Sequence, residues 1–201
     1  MNLDLTQLVA IAAALGWASG LRLYAVVFLT GLAGYLGWVS LPAGLHVLQQ
    51  PLVLGVALVL VLLEFVADKI PGIDSLWDAV HTFIRIPAGA ALAAGVFGAD
   101  GATWSVMAAL LGGTLAATAH TAKATTRAAA NTSPEPFSNI GLSLLGDAAV
   151  PGMLWLSWTH PVAFFVVLAF AVVLAVALVA VFLRFLRGLL SRQRPRPVQT
   201  G

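Results

Sequence analysis

Residues 64–85 (EFVADKIPGIDSLWDAVHTFIR) carry Glu64, Asp68, Lys69, Asp74, Asp78, His81 and Arg85, yet apolar runs lie on both sides, at residues 52–66 and 86–97. No other feature restricts the fold as much. A charge at the centre of a bilayer costs about 2.5–3.5 kcal/mol on insertion scales. Five such charges left alone would cost more than ~12 kcal/mol, as much as the whole stability of a domain. They must pair, reach an interface or line water.

The rest of the chain makes lipid the solvent. Of 201 residues, 60% are hydrophobic and 9% charged, against about 25% charged in a soluble domain. Such a chain cannot clothe a water-facing surface. The expected fold is all-α: one transmembrane domain, residues 1–190, a polytopic bundle of about six helices at ~20 residues each. A disordered basic tail is expected at 191–201. Cysteine is absent, which excludes disulfides and thiolate metal sites. The start, MNLDLTQLV, lacks a basic n-region, so a removable signal peptide is not expected.

The predicted helices cover residues 5–38, 51–68, 74–97, 102–130, 139–157 and 162–186. The first is longer than one crossing needs, and GWASG at 16–20 is its expected breaking point. Gly31, Gly34 and Gly37 mark a face that another backbone could approach. Pro71-Gly72 separates the second helix from the third, with Asp74 or Ser75 as the cap and a kink at Pro87. Residues 131–136 form a turn.

Topology follows from charge. Arg184, Arg187, Arg192, Arg194 and Arg196 follow the last apolar helix. They mark a cytoplasmic flank rather than a nucleic-acid surface. Six crossings then put both termini on the cytoplasmic side of an inner membrane. The loops at 39–50, 98–101 and 159–161 face outward, and none holds Lys or Arg. Three plus three crossings, residues 5–98 and 102–187, suggest inverted halves with a broken first helix and polar half-helices. Asp68-x-x-Pro71-Gly72 faintly mirrors Asp147-x-x-x-Pro151-Gly152.

Helical spacing groups the polar residues. Glu64 and Asp68 share a face. Asp74, Asp78, His81 and Arg85 form a second stripe, and His120, Lys123, Arg127 and Asn131 a third. The first helix adds Arg22 and Tyr24, and the fifth adds Asp147 with Ser143 four residues before it. The acidic and basic stripes should face each other. These residues are the candidate ion or substrate pathway. The competing reading is a set of ion pairs that only fixes helix register.

A hard-cation site would draw on Glu64, Asp68, Asp78 or Asp147, and an anion site on Arg22, Lys123 and Arg127. His81 and His120 could be hydrogen-bonded structural residues, proton carriers or metal ligands. Lys69 is expected to snorkel to the interface. Asp100 and Glu135 read as solvated loop charges, and His46 and His160 as outer-interface residues. The tryptophans read as interface anchors, except Trp17. No catalytic signature and no cofactor motif is present. Ser19 lies three residues before Arg22 without a neighbouring histidine.

GLRLY at 20–24, the segment at 64–85, and AHTAKATTRAAANTSPEPFSN at 119–139 resemble a family of small bacterial integral membrane proteins known only as domain of unknown function 4126. The resemblance covers residues 8–183 and implies a compact polytopic membrane domain, with no activity attached. The matching positions are Arg22, Tyr24, Glu64, Asp68, Lys69, Pro71, Asp74, Asp78, His81, Arg85, His120, Lys123, Arg127, Asn131, Pro134 and Glu135.

The expected function is a small transporter or channel for an ion or small charged solute. Its carboxylates would bind a cation or proton while Arg22, Arg85, Lys123 and Arg127 switch partners. The alternatives are a non-transporting protein that binds a partner or a lipid headgroup, and an intramembrane enzyme acting on lipids. The expected partners are the bilayer, the solute and, as an open option, further copies in a homo-oligomer.

Overall fold

The computed structural model describes residues 3–70, 72–98, 101–131 and 137–192. Among the described residues six α-helices follow one another: α1 (Leu5–Tyr35), α2 (Pro51–Ala67), α3 (Ile73–Gly95), α4 (Ala102–Ala130), α5 (Phe137–Thr159) and α6 (Pro161–Arg192). The segment before α2, expected as a loop, contains a 3-10 helix, Ala43–Gln49, bent by 69° from α2. Pro71, Asp100, Pro134, Glu135, most of the 131–136 turn and the tail from 193 lie outside the described residues.

By length and apolar composition α1, α4, α5 and α6 qualify as membrane spans, and the bent pair ending in α2 makes a fifth. The expected six crossings are therefore four or five on this criterion, and α3 is not among them. In α3 the usual amphipathic pattern is turned inside out. Asp74, Asp78, His81, Arg85, Gly89 and Ala93 are buried at steps of three and four, while Phe83 is 83% exposed. An outward apolar face is stable only where the solvent is apolar too.

Asp4 caps α1, its Oδ1 accepting from the Gln7 amide at 2.7 Å, and the Asp4 amide donates in return to Gln7 Oε1. The helix is interrupted, but not at Gly16–Gly20 as the glycines suggest. Arg22 alone departs from helical backbone, with φ −148° and ψ 78°. Gly16 and Gly20 stay helical because they serve packing. A Cβ at Gly16 would strike the Gly112 backbone on α4, and one at Gly20 would strike the Ala116 carbonyl. Gly112 in turn meets Ala93 and the Gly89 carbonyl of α3. Three helices thus approach through small residues, as dispersion packing in lipid favours.

These contacts also give directions. Gly16 with Gly112 and Gly20 with Ala116 run the first arm of α1 parallel to α4. The second arm turns back: Gly31 abuts Leu48 in the 3-10 helix, whose Gly44 touches Gly95 at the end of α3. Arg22 is therefore the tip of a bent helix, presented to the end of α2, the start of α3 and the last turns of α4. Of the expected approach face, Gly31 does meet another backbone, that of Leu48 in the 3-10 helix, whereas Gly34 meets the Leu41 side chain and Gly37 (φ +71°), just past α1, has nothing near it.

Candidate functional site

The polar ends of α2 and α3 are joined by Arg85. Its guanidinium is fully buried, with Nη2 2.5 Å from Glu64 Oε1 and Nη1 2.6 Å from Asp78 Oδ1. Asp78 and Arg85 are two turns apart, so one face of α3 supplies both.

Asp68 follows the last residue of α2 and collects three cations. Arg22 Nη1 pairs with it from α1, Lys123 Nζ lies at 3.2 Å and Arg127 Nη1 at 2.8 Å from α4. Lys123 also reaches Asp78 at 3.2 Å, and Arg127 lies 3.7 Å from Asp78 and 3.9 Å from Asp74. Asp74 Oδ1 accepts from the amides of Gly72 and Ser75 at 2.8 and 2.6 Å, which secures the start of α3. Asn131 Nδ2 donates to Asp74 at 3.2 Å. The acidic and basic stripes do face each other.

Arg22 links this network to α5. Its Nη2 is 2.9 Å from both Asp147 Oδ1 and Ser143 Oγ. Lys69, expected to snorkel, instead lies 3.4 Å from Asp147 and 3.3 Å from Ser143, with Nζ 3.1 Å from the Phe65 ring centroid. Asp147 draws it inward. Four cations face four buried carboxylates, so the set balances formally: buried Arg22, Arg85 and Arg127, with Lys123 10% exposed at the edge, against Glu64, Asp68, Asp74 and Asp78.

Hydrogen bonding orients both histidines. His81 Nδ1 donates to the Trp77 carbonyl at 2.8 Å, and its Nε2 shares a hydrogen bond with the Tyr24 hydroxyl at 3.0 Å. His120 Nδ1 accepts from Arg85 at 3.2 Å, so its proton sits on Nε2 and is donated to Thr82 Oγ1 at 2.7 Å. Thr82 passes its own proton to the Asp78 carbonyl. The His120 ring is neutral in this arrangement, because Arg85 can only donate to its Nδ1.

Eleven of the thirteen candidate pathway residues belong to one connected network, while Tyr24 and His81 pair with each other beside it. Trp77, read as an interface anchor, instead stacks on His81 at 4.2 Å between centroids. Thr82 was missed because a threonine on an apolar helix gives no spacing signal of its own. Ser19 donates to the Leu15 carbonyl at 2.6 Å. Among the described residues no three His, Asp or Glu side chains are grouped to hold a metal ion. Each carboxylate of the network has at least one oxygen against an arginine, lysine or amide donor.

Beside the network lies a cavity of about 520 Å³ between α1, α4, α5 and α6. Its walls are mostly apolar, and its charged lining consists of Arg22, Lys123 and Arg127. The carboxylates that pair with them are not part of the lining. Several buried polar atoms lack a hydrogen-bond partner, among them Arg22 Nε, Arg85 Nε and Glu64 Oε2.

No curated protein and no solved structure matches the chain. Residues 9–181 match the family described as "Domain of unknown function (DUF4126)". That span contains every member of the buried ion network, so a multi-pass membrane helix bundle with an internal charged cluster is what the chain brings to its family: it belongs to domain of unknown function 4126.

Proposed function

We propose that the chain is a small transporter-like membrane protein whose buried ion network receives a charged solute at its cavity-facing side. The observation that carries this reading is the interruption of α1 at Arg22. Non-helical backbone at membrane depth is tolerated where it is buried in protein or lines a cavity. Discontinuous helices whose freed ends meet charges form the sites of many secondary transporters. Here the break sits among Asp68, Asp147 and Lys123, at the edge of the cavity. Shared partners make exchange feasible. Asp68 holds three cations and Arg127 stands within 4 Å of three carboxylates. A solute that takes one member leaves the others a second choice.

The turned-back α1 supports five crossings, α2 to α6, with α1 entering from the outer side. The chain's two ends then fall on opposite sides, with the basic end of α6 cytoplasmic, in place of two cytoplasmic ends. Inverted halves draw little support from packing. α3 lies along α4, whereas α6 barely touches α1. Gly72 stands between two helices, whereas Gly152 lies within α5.

Flux of protons, sodium, acetate and phosphate into proteoliposomes tests the reading, comparing wild type with Asp78→Asn and Glu64→Gln. Flux that both substitutions reduce supports it, and equal flux in all three removes these carboxylates from the mechanism. The completeness of the pairing favours a second reading, in which the network only sets helix register. In that case the exchange Asp78→Lys with Lys123→Asp restores folding and function together.

A further inference from the structure

We propose that the cavity between α1, α4, α5 and α6 is a binding site for a long-chain carboxylate, with its head at Arg22 and Ser143 and its hydrocarbon tail along α5 and α6. This rests on reading the cavity as the solute site and names the class of solute.

The head position follows from unspent donors. Arg22 is 3% exposed, and its Nη groups are committed to Asp68, Asp147 and Ser143. Its Nε–H has no partner. Gly146 lies beside that Nε: a Cβ built there would sit 3.8 Å from it. Ser143 Oγ already accepts from Arg22 and Lys69, so its own proton is free to be donated. Two adjacent donors suit the two oxygens of a carboxylate, and a phosphate would need more. Lys123 and Arg127 add positive potential, and no carboxylate belongs to the lining.

The tail position follows from shape and composition. The α5 lining runs from Leu142 to Leu156, about 21 Å of helix at 1.5 Å per residue. Trp17, Met153, Phe170 and Leu174 belong to the same apolar wall. A compact inorganic ion would leave that length unfilled. An amphiphile with one anionic head and one chain uses both ends.

Trp17 reports on the tail. The purified full chain in neutral detergent is titrated with dibromostearic acid, its methyl ester and a brominated phosphatidylglycerol, and tryptophan quenching is recorded. Saturable quenching by the acid is expected, at least tenfold weaker for the ester and largely lost in Trp17→Phe. Gly146→Ala covers Arg22 Nε with only an ordinary van der Waals contact, so the fold survives. It should weaken acid binding about tenfold while leaving the melting temperature in place. Equal binding of acid and ester, unchanged binding by Gly146→Ala, or tighter binding of the phospholipid would each overturn the assignment. Binding is read without a gradient. Saturable binding without flux keeps the site and removes transport, and flux of inorganic ions without acid binding does the reverse.

Discussion

Lys123 Nζ donates to the Leu21 carbonyl at 3.0 Å. The break at Arg22 deprives that carbonyl of its place in the helical ladder, and an unpaired carbonyl in lipid costs several kcal/mol. One ammonium therefore serves three acceptors, the broken backbone of α1, Asp68 and Asp78.

Lys123→Met should destabilise the protein by about 3–5 kcal/mol, the cost of leaving buried partners of a charge unpaired. Thermal unfolding in detergent measures it. A loss within ~1 kcal/mol would mean that water already serves the Leu21 carbonyl.

Arg85 stands between Glu64 and Asp78 with no exposure, which makes it the buried group least able to find another partner. Arg85→Met should cost about 3–5 kcal/mol. Adding Glu64→Gln should recover part of that loss, because one orphaned carboxylate is then neutral. A double-mutant cycle gives the coupling. Strict additivity would dissolve the pair as an energetic unit.

Gly16 and Gly55 are both helical glycines but differ in surroundings. Gly16→Ala drives a methyl into the Gly112 backbone, and overpacking of this kind costs about 1–3 kcal/mol or more. Gly55 has nothing within 4 Å of a built Cβ, so Gly55→Ala should be neutral or stabilising by up to ~1 kcal/mol. Melting temperatures of the two variants should move in opposite directions.

The chain contains no cysteine, so single cysteines report topology cleanly. Thr6→Cys should react with a membrane-impermeant maleimide in intact cells, and Arg187→Cys only after permeabilisation. Labelling of both only after permeabilisation would restore two cytoplasmic ends and a crossing α1.

Much of the network was legible in the sequence. The steps from Asp74 to Arg85 and from His120 to Asn131 place each stripe on one helix face, because helical periodicity is local. The break in α1 was legible as an event but not as a position. Glycines mark where a helix is weak, and Gly16 and Gly20 were instead used where α4 comes close. Lys69 gave the wrong signal because an exposed lysine at a helix end and one beside a distant carboxylate look alike in sequence.

The sequence by itself determined a lipid-solvated helical bundle and the faces on which its charges ride. Composition and periodicity follow from each residue's own transfer energy and from the 3.6-residue turn. Only the tertiary structure decided that Arg22 turns α1 back, that Asp68 serves three cations at once, and that Arg22, Lys123 and Arg127 border an apolar cavity. Those depend on distances between segments far apart in the chain, which are set when small residues let helix backbones meet and opposite charges find the nearest partner out of water.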